Sequence, residues 1–228
     1  MTAMLSIIIP ALDEEARIGE CLARLQVMRR AGTELVVVDG GSRDATREAA
    51  RAGADQVIES PRGRASQMNA GARAARGGTL LFLHADTLLP EGASAAIDRA
   101  LRDRAWGRFD VRIAGNHPML AVVATFMNAR SRWTGIATGD QALFMRRAAF
   151  EQAGGYPAIP LMEDVAICKA LKRVSKPACL RERVVTSGRR WEERGMLRTI
   201  VLMWRLRLAF ALGADPARLA RLYDGRAA

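Results

Sequence analysis

The chain has 228 residues, half of them hydrophobic and 5% aromatic, and its formal net charge is +11. This length suits one well-packed domain with an aliphatic core and is short for two domains. A basic surface attracts nucleic acid, anionic lipid or diphosphate groups. The basic residues, nearly all arginine, are spread along the whole chain, and the aromatic residues that single-strand binders use for stacking are scarce. Nucleic acid is therefore not the expected partner.

The cysteines and the first residues of the chain bear on its compartment. Cys21, Cys168 and Cys179 are odd in number and show no metal-ligand spacing, which fits a reducing environment. The sequence starts without the basic region and cleavage site of a signal peptide, and its first apolar run, residues 5–9, is too short to span a bilayer. We therefore expect a cytoplasmic protein, soluble or peripheral on the inner face of the membrane.

Short β-rich runs alternate with helix-like segments in the first half of the chain. The predicted strands are residues 5–9, 35–38, 56–58 and 80–83, and the predicted helices between them are residues 14–29, 45–52 and 66–76. Continuous Ile, Val and Leu strands separated by helices indicate a mostly parallel sheet covered on both faces. Such an α/β sheet binds its ligands at the carboxyl ends of its strands.

The second half continues with less regular spacing. Helices are predicted from Pro90 to 103, at 118–133 and at 162–173, and strands at 109–113, 141–145 and 184–185. Since no repeat, low-complexity tract or linker interrupts the chain, we predict a single domain over residues 1–228, with a core at about 4–195 and a C-terminal helical extension at about 196–228.

Residues 196–212 of this extension form an apolar segment with an ambiguous position. Arg198, Arg205 and Arg207 interrupt it, which argues against a membrane-spanning helix. Three placements stay open: a helix packed on the domain with its arginines snorkelling, a helix on an anionic membrane surface, and a homodimer contact.

Polar groups follow the first two predicted strands. Pro10-Ala11-Leu12-Asp13-Glu14-Glu15 contains no glycine, which disfavours the glycine-rich turn of a dinucleotide-binding Rossmann fold. Asp39-Gly40-Gly41 suits hydrogen bonding to a base or ribose that the backbone approaches closely, although a turn capped by Ser42 or Asp44 explains it equally well. The stretch from Arg62 to Gly71 places arginine and a helix N-terminus where a diphosphate could bind.

The sharpest motif is His84-Ala85-Asp86, which follows the apolar strand at 80–83. In an extended strand His84 and Asp86 point to the same side. A carboxylate suits Mg²⁺ or Mn²⁺, and Mn²⁺ also accepts imidazole. A metal held there would neutralise the charge of a departing nucleoside diphosphate. A structural histidine with a helix-capping aspartate is the alternative.

Two later motifs complete the candidate site. Glu163-Asp164 opens a predicted helix, where one carboxylate could act as the general base toward an acceptor hydroxyl. Acidic residues are also common at helix starts because of the helix dipole. Ser187-Gly188-Arg189-Arg190-Trp191 offers cationic and aromatic groups for a phosphate or a sugar face.

Over about residues 4–195 the order and spacing of these segments resemble the family 2 glycosyltransferases, which are inverting enzymes of the GT-A fold, and a small soluble bacterial subgroup in particular. The resemblance implies donor contacts from Pro10, Leu12, Glu14, Asp39, Gly41, Arg64, Asn69, His84, Ala85 and Arg190. It implies Asp86, with His84, as metal ligand for Mn²⁺ or Mg²⁺, and Asp164, paired with Glu163, as catalytic base. Gly139 and Asp140 resemble an acceptor-side loop, and Trp191 ends a motif of the acceptor side.

Two departures from the family pattern limit this expectation. His84 stands where the family has the first aspartate of an Asp-x-Asp motif, and Ser187 stands where processive members have glutamine. The implied reaction is the addition of one sugar, with inversion, from a nucleoside-diphosphate sugar to a hydroxyl. A nucleotidyltransferase of similar fold and a non-catalytic basic protein that binds nucleic acid or a membrane surface are the alternatives.

Overall fold

A computed structural model describes residues 3–189, 191 and 195–224. The strands are β1 (Leu5–Ala11), β2 (Glu34–Asp39), β3 (Gln56–Glu59), β4 (Thr79–Phe82), β5 (Thr87–Leu88), β6 (Trp106–Ala114), β7 (Phe144–Arg146) and β8 (Ala178–Ser187). The helices are α1 (Glu15–Arg30), α2 (Thr46–Arg51), α3 (Arg64–Ala74), α4 (Ala93–Asp103), α5 (Met119–Thr134), α6 (Arg147–Gln152), α7 (Glu163–Val174), α8 (Met196–Ala211) and α9 (Pro216–Asp224), and Gly139–Gln141 forms a 3-10 turn.

The strands form one sheet in the order β3-β2-β1-β4-β7-β6-β8-β5. β1 pairs in parallel with β2 and β4, and β2 pairs in parallel with β3. β7 lies antiparallel between β4 and β6, while β8 runs parallel to β6 and antiparallel to β5. The predicted α/β fold with a mostly parallel sheet is confirmed, and the carboxyl ends of β1, β2 and β4 share one edge.

Helices cover both faces of the sheet because its central strands are apolar on both sides. Ile7, Ile8 and Ile9 of β1 are fully buried, and they alternate between two core clusters. One cluster includes residues of α1, α4 and α5, and the other includes residues of α3 and α7. The helix-covered sheet expected from continuous apolar strands is therefore present.

A third, smaller cluster joins the C-terminal helices to the domain. Its buried members are Met162, Val165, Leu206 and Leu219, which come from the start of α7, from α8 and from α9. The sequence left three placements open for residues 196–212. One face of α8 packs on the domain, which is the first of them. Among the described residues no helix has the length and apolarity needed to cross a bilayer.

The observed elements differ from the predicted ones mainly in the second half. β8 has ten residues, whereas the sequence predicted a strand only at 184–185. The prediction was too short because Arg181, Glu182 and Arg183 interrupt the apolar pattern of the strand. Only its last residues pair with β5, so the charged part lies where the sheet has an edge. The strand predicted at 141–145 is wrong at its start, because Gln141 ends the 3-10 turn and Ala142 adopts a φ of +46°.

Candidate active site

A cleft of about 770 Å³ opens at the carboxyl ends of β1 and β4. Its walls come from the β1–α1 loop, the N-terminus of α3, the turn after β4, the loop before α7, the end of β8, and α8 and α9. The lining includes Pro10, Leu12, Glu14, Arg62, Arg64, Gln67, His84, Ala85, Asp86, Asp140, Glu163, Ser187, Arg189, Trp191, Thr199, Met203 and Tyr223. Most of the residues predicted for a donor site therefore share this one cavity.

The β1–α1 loop, which carries Leu12 and Glu14 and follows Pro10 near the end of β1, is fastened to the loop that follows β2. The Asp13 backbone N–H donates to Ser42 Oγ at 3.0 Å, and the Glu14 N–H donates to Thr46 Oγ1 at 2.8 Å. Asp13 has a φ of +53°, a backbone conformation that side-chain-bearing residues adopt rarely. Hydrogen bonds between the two loops therefore hold a strained turn against the cleft.

Asp39 and Gly41 lie outside the cleft lining that the described residues form. The Asp39 side chain is fully buried, and its Oδ2 accepts the backbone N–H groups of Gly41 and Ser42, each at 3.0 Å. A carboxylate with these partners shapes the turn after β2. Contact of Asp39 with a nucleotide base stays a prediction.

The N-terminus of α3 faces the cleft. Gly63 precedes it with a φ of +134°, and no side chain of the described residues caps the first turn. Free N–H groups and the helix dipole there favour an anion, and Arg62 and Arg64 add positive charge beside them. This wall of the cleft is suited to phosphate oxygens.

Gln67 is a lining residue that the sequence did not identify. Its Nε2 donates to Ala11 O at 2.7 Å and to Val38 O at 2.8 Å, so it ties the carboxyl ends of β1 and β2 together. A buried glutamine inside a helical pattern carries no sequence signal for this role, because its two acceptors are distant in the chain.

Asn69 has a supporting position outside the cleft lining of the described residues. Its Nδ2 donates to Tyr156 O at 2.7 Å, and the Tyr156 N–H donates to Asn69 Oδ1 at 2.9 Å. This reciprocal pair holds the turn that leads to the 158–161 loop of the cleft wall. A direct contact of Asn69 with a donor stays a prediction.

His84-Ala85-Asp86 forms a tight turn between β4 and β5. β4 ends at Phe82, and the Thr87 N–H donates to His84 O at 3.0 Å. His84 and Asp86 both line the cleft, as predicted. They lie in the turn after β4, however, and not in an extended strand, so strand alternation is not the reason that they face the same cavity. Asp86 Oδ1 accepts a hydrogen bond of 3.3 Å from the Thr87 hydroxyl.

The His84 ring is held by the 3-10 turn opposite. Its Nδ1 lies 3.3 Å from Asp140 Oδ1. A Cβ added to Gly139 would lie 2.6 Å from His84 Nε2. The Gly139 N–H in turn donates to Asp164 Oδ2 at 3.1 Å. Three predicted site segments are thereby linked through direct contacts.

Glu163 and Asp164, at the start of α7, have different surroundings. The Glu163 side chain lines the main cleft and is buried, while Asp164 lines a small adjoining cavity together with Glu163, His84 and Gly139. Burial, reinforced by the charge of Asp164, raises the pKa of Glu163 to about 7. Arg64 and His84 oppose this rise. Met162, which precedes the pair, has a φ of +69°.

Two half-buried arginines lie near Asp164 on the side of α5 and α8. The Nε and Nη2 atoms of Arg130 are buried and have no hydrogen-bond partner among the described residues. Burial, and then the charge of Arg207, lowers the pKa of Arg130 to about 10, and Asp164 opposes this effect. Burial also lowers the pKa of Arg207. Neither arginine lies in one of the sequence motifs of the candidate site.

The described residues fit a divalent cation that is shared with a ligand. They contain no group of three or more His, Cys, Asp or Glu side chains placed to hold an ion. Mg²⁺ and related hard cations commonly bind one or two carboxylates and complete their shell with substrate phosphates and water. Asp86, which faces the same cleft as the N-terminus of α3, has the donor chemistry for such a shared ion.

The far wall of the cleft is formed by residues from the last part of the sequence. Ser187, Arg189 and Trp191 line it, as do Thr199 and Met203 of α8 and Tyr223 of α9. Arg190, predicted to contact the donor, lies outside the described residues. The contribution of the C-terminal helices was missed because their lining residues carry no motif.

The chain is similar in sequence to known glycosyltransferases. The model of the family named Glycosyl transferase family 2 matches residues 6–153. A PGL/p-HBAD biosynthesis glycosyltransferase of Mycobacterium bovis is 32% identical over 173 residues, which cover 67% of this chain and 63% of the relative. An undecaprenyl-phosphate 4-deoxy-4-formamido-L-arabinose transferase of Pseudomonas paraeruginosa is 29% identical over 168 residues, 63% of this chain and 46% of the relative.

A solved structure shares the fold. A mannosyltransferase from Pyrobaculum calidifontis, in complex with GDP-Man and Mn²⁺, superposes with a TM-score of 0.66 at 24% identity, covering 92% of this chain and 61% of that one. The chain thus spans less than two thirds of the length of each of these three proteins.

Proposed function

Because the chain belongs to glycosyl transferase family 2, whose model matches residues 6–153, we propose that it transfers one sugar, with inversion, from a nucleoside-diphosphate sugar to an acceptor hydroxyl. One observation carries the proposal: an uncapped helix N-terminus with arginines faces carboxyl groups across a single cleft at the sheet's carboxyl edge. This arrangement suits a ligand with an anionic diphosphate at one end and a reacting hydroxyl at the other.

The donor's diphosphate would lie against the N-terminus of α3 and Arg64. Its nucleoside would lie over the β1–α1 loop, with Pro10, Leu12 and Glu14 in contact and Asp39 supporting the neighbouring turn. The mannosyltransferase with GDP-Man and Mn²⁺ supports a nucleotide-sugar donor for this fold.

Asp86, with His84 beside it, would hold a Mn²⁺ or Mg²⁺ ion shared with the diphosphate. The ion would offset the negative charge that grows on the leaving group. The contacts of His84 with Gly139 and Asp140 favour a role in shaping the turn, so Asp86 is the principal ligand in this proposal.

Asp164 would accept the proton of the acceptor hydroxyl. The acceptor oxygen attacks the anomeric carbon from the face opposite the diphosphate, the carbon–oxygen bond to the diphosphate breaks, and the proton moves to the carboxylate. The Gly139 and Val165 N–H groups, at 3.1 and 2.7 Å, orient the Asp164 carboxylate for this task. The neighbouring Glu163, whose pKa is raised by burial, favours its protonated form below about pH 7.

A thermal-shift panel of UDP-, GDP-, ADP- and dTDP-sugars, each with and without Mn²⁺, tests the donor. A donor well above its dissociation constant raises the melting temperature by mass action. Calorimetry on the Asp86→Ala variant then tests the ion, since the metal-dependent part of donor binding should disappear. A panel without any stabilising nucleotide sugar would contradict the proposal.

The family match favours glycosyl transfer over nucleotidyl transfer. The absence of glycine from the β1–α1 loop points the same way, because nucleotidyltransferases usually open with a glycine-rich loop there. Release of nucleoside diphosphate, measured against release of pyrophosphate, distinguishes the two reactions.

A further inference from the structure

Helix α8 has an inner and an outer face of different character. Thr199 and Leu206, on the inner face, are 6% and 2% exposed. The outer face shows large apolar side chains at intervals of three or four residues, the spacing of one continuous helical stripe. These are Leu197, Val201, Trp204, Leu208 and the C-cap Leu212, which are 56–79% exposed. We refer to these five residues as the α8 stripe.

The charged residues within α8 are all basic. Arg198 and Arg205, seven residues apart, are exposed on its flank. The helix contains no acidic residue. An exposed apolar stripe that contains tryptophan and is bordered by arginines is the pattern of helices that lie in the headgroup region of anionic bilayers.

Helix α5 also exposes large aromatic side chains. Phe126 and Trp133 of α5 are 67% and 87% exposed and lie seven residues apart, on one side of the helix. α5 also contains no acidic residue. Its half-buried Arg130 lies within electrostatic range of Arg207 of α8.

We propose that the α8 stripe docks on an anionic lipid bilayer and that the cleft takes an acceptor carried in that bilayer. Thr199 and Met203, on the other side of the same helix, line the cleft. One helix, about 10 Å across, thus separates the docking face from the cavity. The proposed docking is inferred from the exposed residues of α8 alone. The proposed lipid-borne acceptor also depends on the proposed function.

A second copy of the chain is a less suitable occupant. In a symmetric dimer with antiparallel α8 helices, the flanks that carry Arg198 and Arg205 would lie on the same side of the interface and repel each other. Each copy also carries a net charge of +11, which opposes self-association. An anionic bilayer offers complementary charge and an apolar interior at once.

Sedimentation of the full chain with vesicles tests the docking. Vesicles of phosphatidylcholine alone are compared with vesicles that also contain phosphatidylglycerol, at low salt. We expect binding to the anionic vesicles and loss of that binding in Trp204→Ser/Leu208→Ser. Arg198→Gln/Arg205→Gln should weaken the partition coefficient on the order of 30-fold, since each basic residue near the surface contributes about fivefold.

Control variants remove exposed apolar or basic side chains away from the α8 stripe. Val27→Ser removes an apolar side chain that is 68% exposed on α1, and Arg30→Gln/Arg73→Gln removes two exposed arginines from α1 and α3. Both should retain most of the vesicle binding. Equal losses of vesicle binding in the control and stripe variants would overturn the docking. A wild type that does not bind vesicles but forms a dimer, which Trp204→Ser/Leu208→Ser dissociates, would also overturn it.

Transfer of label from the donor tests the acceptor separately. With vesicles of bacterial polar lipid present, label recovered in the organic extract supports a lipid-borne acceptor, and label found only in water-soluble products overturns it. Failure of every donor in the thermal-shift panel would instead contradict the proposed function, while the sedimentation result would still decide the docking.

Discussion

Gly139 and His84 are in such close contact that a Cβ on Gly139 would lie 2.6 Å from His84 Nε2. The same glycine donates its N–H to Asp164. One residue without a side chain therefore sets the distance between the turn after β4 and the start of α7, the two segments proposed to hold the ion and the base.

Gly139→Ala should displace the His84 ring and reduce turnover by at least tenfold, because small misplacements of reacting groups have large effects on rate. Gly19→Ala is the matched control, since Gly19 lies within α1 and a Cβ there would meet no atom of the described residues within 4 Å. The control should gain roughly 0.5–1 kcal/mol in free energy of unfolding and keep its activity. Diphosphate release and urea unfolding measure both effects. Unchanged turnover in Gly139→Ala would mean that the contact is only a packing contact.

Asp164→Asn should lower turnover by about 10²–10⁴-fold while donor affinity stays close to that of the wild type, because a general base acts on the acceptor hydroxyl. Asp103→Asn, an exposed carboxylate at the end of α4, serves as the control. Single-turnover assays and calorimetry separate the rate from the affinity. Near-wild-type turnover in Asp164→Asn would assign the base to another group, of which Glu163 is the nearest.

Glu163 should make the protein less stable as the pH rises from about 4.5 to about 7. Its pKa is about 7 in the folded state against 4.5 ordinarily, so the folded state binds the proton more tightly throughout this window. The free energy of unfolding should then fall with pH, on the order of 3 kcal/mol over the window for this one group.

Glu163→Gln removes this contribution, and urea unfolding at pH 5 and pH 8 measures it. The variant should lose less stability than the wild type between the two pH values. Glu91→Gln, an exposed carboxylate near α4, should behave as the wild type does. Parallel pH dependence in all three proteins would show that the Glu163 carboxyl is solvated.

Asn69→Ala should lower the free energy of unfolding by roughly 1–3 kcal/mol, because it leaves the Tyr156 backbone N–H and carbonyl without their side-chain partner. The exposed Gln152→Ala on α6 is the control for loss of an amide. If Asn69 contacts the donor as predicted from the resemblance, the variant should also show weaker donor binding under conditions in which it is fully folded. Intact donor affinity with lowered stability would assign Asn69 to the support of the turn alone.

The sequence predicts the first half of the fold well because Ile, Val and Leu runs such as Ile7-Ile8-Ile9 leave little choice between strand and helix. It also predicts Glu163, His84 and Asp86 as neighbours, since each follows a recognisable strand or turn. β8 was mostly missed because a strand near an edge tolerates charges such as Arg181 and Glu182, which hide its period. Gln67 and Met203 were missed because only tertiary packing brings them to the cleft.

The small cluster of Met162, Val165, Leu206 and Leu219 has a consequence for how substrates enter. Among the described residues these four are the buried members of the cluster that joins α7 to α8 and α9, far fewer than those beneath the rest of the sheet. Segments with few buried contacts open at low free energy. Amide hydrogen exchange should therefore be faster in α8 and α9 than in β1 and β2. The far wall of the cleft would open locally to admit substrates while the sheet keeps its structure.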